Sequence, residues 1–245
     1  MGQNMSLDPA ADEAGYKEDK FADERVRKNF VSKVYGILTL QLIFSSILIF
    51  GLTYDENIRE WIFDRPWLCI IFAVSGIVVY MILACCDSVR RTAPCNSILL
   101  AVMTACYALT AATAAAQYEL FVVYLAFLST GLITIVMTLF AKFAPCDITG
   151  CGPVFCIVGL AILVFGIVAS IVSIFIFAPI LHLLLAGVMV VFLSLYLIFI
   201  TQLIIGGKRE SISPDEVILA VIILYVTIIE LFMYLLAIIQ ACFGE

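Results

Sequence analysis

Apolar residues in this chain run in long uninterrupted stretches, without the alternation with polar positions that marks a soluble helix or strand. Seven stretches stand out: Val34–Tyr54, Trp67–Cys86, Ser97–Gln117, Leu120–Phe140, Pro153–Ala178, Ile180–Ile205 and Val217–Cys242. A bilayer core about 30 Å thick is crossed by about 20 apolar residues in a helix, and each stretch is long enough to do so. The pattern predicts an all-α polytopic membrane protein, a bundle of seven transmembrane helices occupying residues 25–245. The division least supported is the run Pro153–Ile205, which as one helix would be about 80 Å long. Proline removes a helix hydrogen bond and clashes with the preceding turn, so Pro179 must break the run. A turn is expected at Ala178–His182, with His182 at the membrane interface.

Composition narrows the functional classes. Residues of the AVILMFWYC set make up 64% of the 245-residue chain and charged residues 13%, against roughly half and a quarter in soluble domains. The polar segments are too short for a separate catalytic domain. The one histidine, His182, excludes most histidine-based catalytic sets, and Gly206-Gly207-Lys208 lacks the rest of a phosphate-binding loop. No acidic pair lies inside a span, as an intramembrane aspartyl protease requires. An enzyme is therefore not expected, nor is a nucleic-acid partner or an organic cofactor. The net charge of −6 says little, because seven of the nineteen acids sit in the N-terminal tail.

How the cations are distributed matters more. Taking the connecting segments alternately, one side of the membrane holds Lys17, Lys20, Arg25, Arg27, Lys28, Lys33, Arg90, Arg91, Lys142, Lys208 and Arg209, and the other only Arg59 and Arg65. Cytosolic loops carry the excess of Lys and Arg, so the N-terminus is expected in the cytosol. That orientation is opposite to a heptahelical G-protein-coupled receptor.

Residues 1–24 are too polar to bury a core and read as a disordered cytosolic tail. Met1-Gly2-Gln3-Asn4-Met5-Ser6 fits the N-myristoylation pattern and makes Gly2 a lipidation candidate. Cys85 and Cys86, beside Asp87 and Arg90-Arg91 at the expected cytosolic face, are candidates for S-palmitoylation. Cys146, Cys151 and Cys156 recur every five residues without histidine partners, a poor fit to zinc-site spacing. Ser213-Pro214-Asp215-Glu216 reads as a helix start before the last span, with Ser213 as cap, Pro214 at the first helical position and Glu216 reaching back.

Glu230 carries the most information. It lies near the middle of the last stretch, where an ionised carboxylate costs about 2.5–3.5 kcal/mol on insertion scales, so such a residue faces the bundle interior and is either neutral or paired, serving as a functional site or as a protonated acid in an interhelical hydrogen bond. Thr227 shares its helical face, and Thr201 and Gln202 in the sixth span are the remaining oxygen donors for an ion pathway or a proton-sensing site. Calcium, which takes oxygen ligands, is the permeant ion considered.

The polar landmarks resemble the Bax inhibitor family, within it the Lifeguard branch. The resemblance starts with Val26-Arg27-Lys28-Asn29-Phe30-Val31-Ser32-Lys33-Val34-Tyr35 and Leu40-Gln41-Leu42, and continues through Cys85-Cys86-Asp87-Ser88-Val89-Arg90-Arg91, Lys142-Phe143 and Asp147-Ile148-Thr149. Its most specific part is Thr201-Gln202-Leu203-Ile204-Ile205-Gly206-Gly207-Lys208-Arg209, Ser213-Pro214-Asp215-Glu216 and Leu224-Tyr225-Val226-Thr227-Ile228-Ile229-Glu230-Leu231-Phe232. It implies a central last helix surrounded by the other six and residence in endoplasmic reticulum or Golgi, with the plasma membrane as a further location. It also implies suppression of apoptosis and a pH-sensitive calcium leak, and partners among membrane lipids and death-pathway or receptor proteins. One departure bears on mechanism: where the family carries an aspartate pair that senses protons, this chain has Ile200 and Thr227. Two facing carboxylates switch through a coupled titration; an isoleucine and a threonine do not. Either the pH-gated leak is lost, leaving a non-conducting interaction protein, or Glu230 supplies a single replacement carboxylate.

Overall fold

A helix satisfies its own backbone hydrogen bonds, which is why a chain made of apolar stretches folds into helices where lipid offers no partner. The structure, a computed structural model, describes residues 9–92, 94–175, 179–206 and 209–243. Its helices are α1 (Pro9–Tyr54), α2 (Glu56–Phe63), α3 (Trp67–Cys85), α4 (Asp87–Arg91), α5 (Cys95–Ala115), α6 (Leu120–Phe143), α7 (Gly152–Phe175), α8 (Pro179–Ile205) and α9 (Val217–Phe243), with a 3₁₀ turn at Thr149–Cys151. No strand occurs among the described residues. Seven of the helices, α1, α3 and α5 to α9, are long and apolar enough to cross a membrane; the fold is the all-α, seven-span bundle that the apolar stretches predict.

Three local features differ from expectation. The tail read as disordered continues α1 from Pro9 onward, and residues 1–8 lie outside the described part. Ala10, Ala11, Glu13, Ala14, Lys17 and Glu18 are strong helix formers, a local preference that the apolar-core argument ignores. The expected turn at Ala178–His182 is helix over 179–182, and Ala178 lies outside the described residues: α8 opens on Pro179 itself, because the first helical position needs no N–H and suits the fixed proline φ. Finally, α9 starts at Val217. Ser213–Glu216 forms a turn closed by the Glu216 N–H donating to the Ser213 carbonyl at 2.9 Å, and Glu216 precedes the helix, its own carbonyl accepting from Ala220 at 3.1 Å.

α9 is the axis of the bundle. Of its most apolar window 61% is buried, against 6% for the span containing α7. It packs on α8, α6, α1, α5 and α3, while α7 packs on α8 and the preceding 3₁₀ turn. The expectation of a last helix enclosed by six others is met on five sides; α7 leaves a cleft between itself and α9. Between helices in lipid the hydrophobic effect gives little drive, so close packing of small residues takes its place. On α5, Ala108, Ala111, Ala112 and Ala115 are wholly buried, and on α3 a Cβ at Gly76 would press to 3.1 Å from the Tyr107 ring of α5. Hydroxyls facing lipid are neutralised within their own helix: Ser75 donates to Ile71 O at 2.7 Å and Thr39 to Tyr35 O at 2.7 Å.

Candidate functional site

Glu230, in the middle of α9, is half-buried and lines the cleft between α7, α8 and α9, a space of about 590 Å³. Gly159, Gly166 and Ser170 of α7 form one wall, and Phe192 and Met189 of α8 the other. The phenols of Tyr80, Tyr107, Tyr196 and Tyr234 lie within electrostatic reach of the carboxylate. Glu230 has no ion pair or hydrogen bond among the described residues. A carboxylate that no protein cation neutralises, on the wall of a cleft, is placed to meet a cation or a proton from outside the chain.

The other three candidates do not gather round it. Thr227 is buried, and its hydroxyl donates to the Ile223 carbonyl of its own helix at 2.7 Å. Gln202 is buried near the end of α8 and is fully engaged: its Oε1 accepts from the Ile148 N–H at 3.1 Å, and its Nε2 donates to Cys146 O at 3.0 Å and, at 3.5 Å, to Ala141 O. It holds the loop after α6. Thr201 is wholly buried, its hydroxyl beside that of Tyr35 of α1. At 1.5 Å per residue, Glu230 lies about 20 Å along α9 from its start and Thr201 only about 6 Å from the end of α8, so the four residues occupy two depths. Ile200 is 3% and Thr227 4% exposed; the positions where the resemblance places an aspartate pair are sealed in the core. No group of three His, Cys, Asp or Glu able to hold a metal occurs among the described residues, and Glu230 by itself falls short of the six to eight oxygens calcium takes.

Sequence reasoning missed the strongest polar construction of the bundle. Arg90 of α4 is buried, and its Nε donates to Glu216 Oε2 at 2.6 Å. Its Nη1 donates to Ala84 O at 3.0 Å and, more weakly, to Leu83 O at 3.3 Å, capping α3, while its Nη2 pairs with Asp87. Arg91 adds a bond from Nη2 to Glu216 Oε1 at 2.6 Å. Hydrogen bonding by Arg90, then by Arg91, holds the Glu216 carboxyl below its ordinary range despite burial. A second clamp joins α1 to the α8–α9 connection: Arg27 donates to the carbonyls of Leu203 at 2.7 Å, Ile205 at 3.1 Å and Ile212 at 2.6 Å. Gly206, at φ +72°, ends α8 in the left-handed region, and a Cβ there would overlap the Arg27 guanidinium. The sequence around Glu216 offers a local cap as a short-range role; only the fold brings Arg90 to it across 126 residues.

A third group, at the level of Tyr225, is buried between α1, α5 and α9. The Tyr225 hydroxyl is 2.8 Å from Ser45 Oγ and 3.1 Å from the Thr104 carbonyl, and Gln41 Nε2 donates to Thr104 Oγ1 at 2.6 Å. Of the lipidation candidates, Cys85 and Cys86 are exposed at the end of α3, and Gly2 lies outside the described residues.

Residues 27–243 match the family described as "Inhibitor of apoptosis-promoting Bax1". The chain is 33% identical over 214 residues to Protein lifeguard 3 of Homo sapiens, covering 87% of this chain and 69% of that protein. Against Protein lifeguard 3 of Mus musculus it is 29% identical over 235 residues, 96% of this chain and 76% of the relative. Protein lifeguard 4 of Mus musculus is 27% identical over 220 residues, 90% and 88% of the two chains. With the matched region taking in all seven spans, this chain belongs to the Bax inhibitor family, in its Lifeguard branch.

Proposed function

We propose that this protein restrains apoptosis from within an intracellular membrane, endoplasmic reticulum or Golgi, and that it does so by acting on stored calcium, with Glu230 as the acid that handles the ion. The family description and the names of the relatives support the first part. The observation that carries the second is Glu230 itself, an unneutralised carboxylate at mid-membrane depth on the wall of a cleft. The N-terminus faces the cytosol in this reading, supported by the concentration of cations at the end of the bundle holding Arg27, Arg90 and Lys142. The protein acts without catalysis.

A second reading has its own observation. With Ile200 and Thr227 buried where a titrating pair would sit, a non-conducting regulator that binds death-pathway or receptor proteins needs no ion path. Calcium efflux from proteoliposomes, followed from about pH 6 to about pH 8, separates the two. Efflux by the natural chain that falls to the protein-free level in Glu230→Gln supports the calcium reading. No efflux from the natural chain, with efflux appearing in Ile200→Asp/Thr227→Asp, supports the regulator.

A further inference from the structure

At the basic end of the bundle, α1 and α6 diverge around a cleft of about 520 Å³. Arg27, Lys28, Ser32 and Tyr35 line it from α1, and Thr138 and Lys142 from α6. On α1 these positions are spaced to form one face, and Thr138 and Lys142 are one turn apart on α6. Three cations and three hydroxyl side chains therefore converge on one space. Lys28 and Lys142 are exposed and make no ion pair with an acid among the described residues. Arg27 is held in place by three carbonyls, which leaves two of its five N–H donors free. Deeper in, the Tyr35 hydroxyl is buried beside those of Thr138 and Thr201. Val31, Leu139 and Ile205 supply an apolar wall. The cleft sits at the helix ends where Lys142 closes α6 and Ile205 closes α8, the level of lipid headgroups.

We propose that this cleft binds the headgroup of an anionic phospholipid that carries phosphomonoester groups, its acyl chains lying along the apolar wall. A doubly charged phosphate offers several acceptor oxygens and matches a cluster of fixed and mobile cations; basic pockets between transmembrane helices at the membrane surface bind such headgroups. The exposed lysines supply charge and Arg27 supplies a rigid donor, so lysine removal weakens binding without disturbing the fold. The site is independent of Glu230 and of calcium handling.

The test uses the full chain in phosphatidylcholine nanodiscs, with native mass spectrometry counting bound phosphatidylinositol phosphate against phosphatidylserine. Preferential retention of the phosphomonoester lipid is expected, falling about 25-fold in Lys28→Ala/Lys142→Ala, at about fivefold per lysine. Lys33→Ala, which removes an α1 cation outside the cleft, should change it less than about twofold. Equal weakening by Lys33→Ala overturns the site in favour of diffuse surface charge, and full binding by the double variant overturns it outright. The soluble inositol phosphate headgroup serves as competitor: weak competition supports a lipid occupant, whereas competition as strong as the lipid's own binding assigns the cleft to free phosphates and overturns the proposal. Equal retention of phosphatidylserine does the same for the phosphomonoester requirement.

Discussion

Two glutamates on or beside the same helix, 14 positions apart in sequence, have opposite surroundings. Glu216, just before α9, gives both carboxylate oxygens to guanidinium groups from α4 at 2.6 Å each. Glu230, halfway along α9, faces a cleft and has no cation partner among the described residues. A carboxylate satisfied inside the fold ties elements together, and its charge is used up. One left open holds no elements together and stays available for chemistry with something that enters. The contrast separates an acid spent inside the fold from one left open to a cleft, without appeal to either residue's identity.

The largest expected effect comes from breaking the satisfied pair. Arg90→Ala leaves Glu216 buried without its main partner, and loss of about 3–5 kcal/mol is expected, read as a lowered unfolding midpoint in detergent. Replacing both partners by leucine should recover much of it, since a pair of apolar groups avoids the desolvation cost. A double variant no more stable than Arg90→Ala would show that the clamp acts through geometry other than the pair.

Next in size is the response to acid. The Glu216 carboxyl is held below its unfolded range, chiefly by its bond from Arg90, so its contribution to stability is complete above an unfolded carboxylate pKa of about 4.3. It is lost as pH falls through the lower folded value. The unfolding midpoint of the natural chain should therefore fall more steeply below about pH 4 than that of Glu216→Gln; parallel curves would sink the assignment.

Glu230→Gln is expected to leave the unfolding midpoint unchanged or raise it slightly, because it removes a charge that no protein group stabilises. On the proposed function its effect falls on calcium efflux. A large destabilisation by this variant would dissolve the comparison between the two acids. The smallest effect is expected from Arg91→Ala: its side chain is 65% exposed, solvent screens its bond to Glu216, and the midpoint should move little compared with Arg90→Ala.

Much of the molecule was legible before any coordinates. Apolar length gives the helices, and an acid in the middle of the last stretch marks Glu230. What pattern reading does not supply is the hydrogen-bond partners of residues with a plausible local role. Gln202 looked like an ion ligand, yet it holds the loop after α6; Thr227 looked like a partner for Glu230, yet its hydroxyl turns back on its own helix. In each case the hydrogen-bond partner comes from backbone whose position depends on helix packing or from the helix's own previous turn, and neither choice is encoded in residue type.

The amino-acid sequence by itself determined the seven spans, since hydrocarbon admits only backbone that bonds to itself, and the depth of Glu230, since helix rise per residue is constant. Tertiary structure decided which charges are spent. Arg90 meets Glu216, Arg27 meets the α8–α9 connection, and α7 leaves a cleft between itself and α9. Ion pairs and hydrogen bonds act over a few ångströms while those partners are 126 and 185 residues apart in the chain, so only the packed bundle can bring them within range.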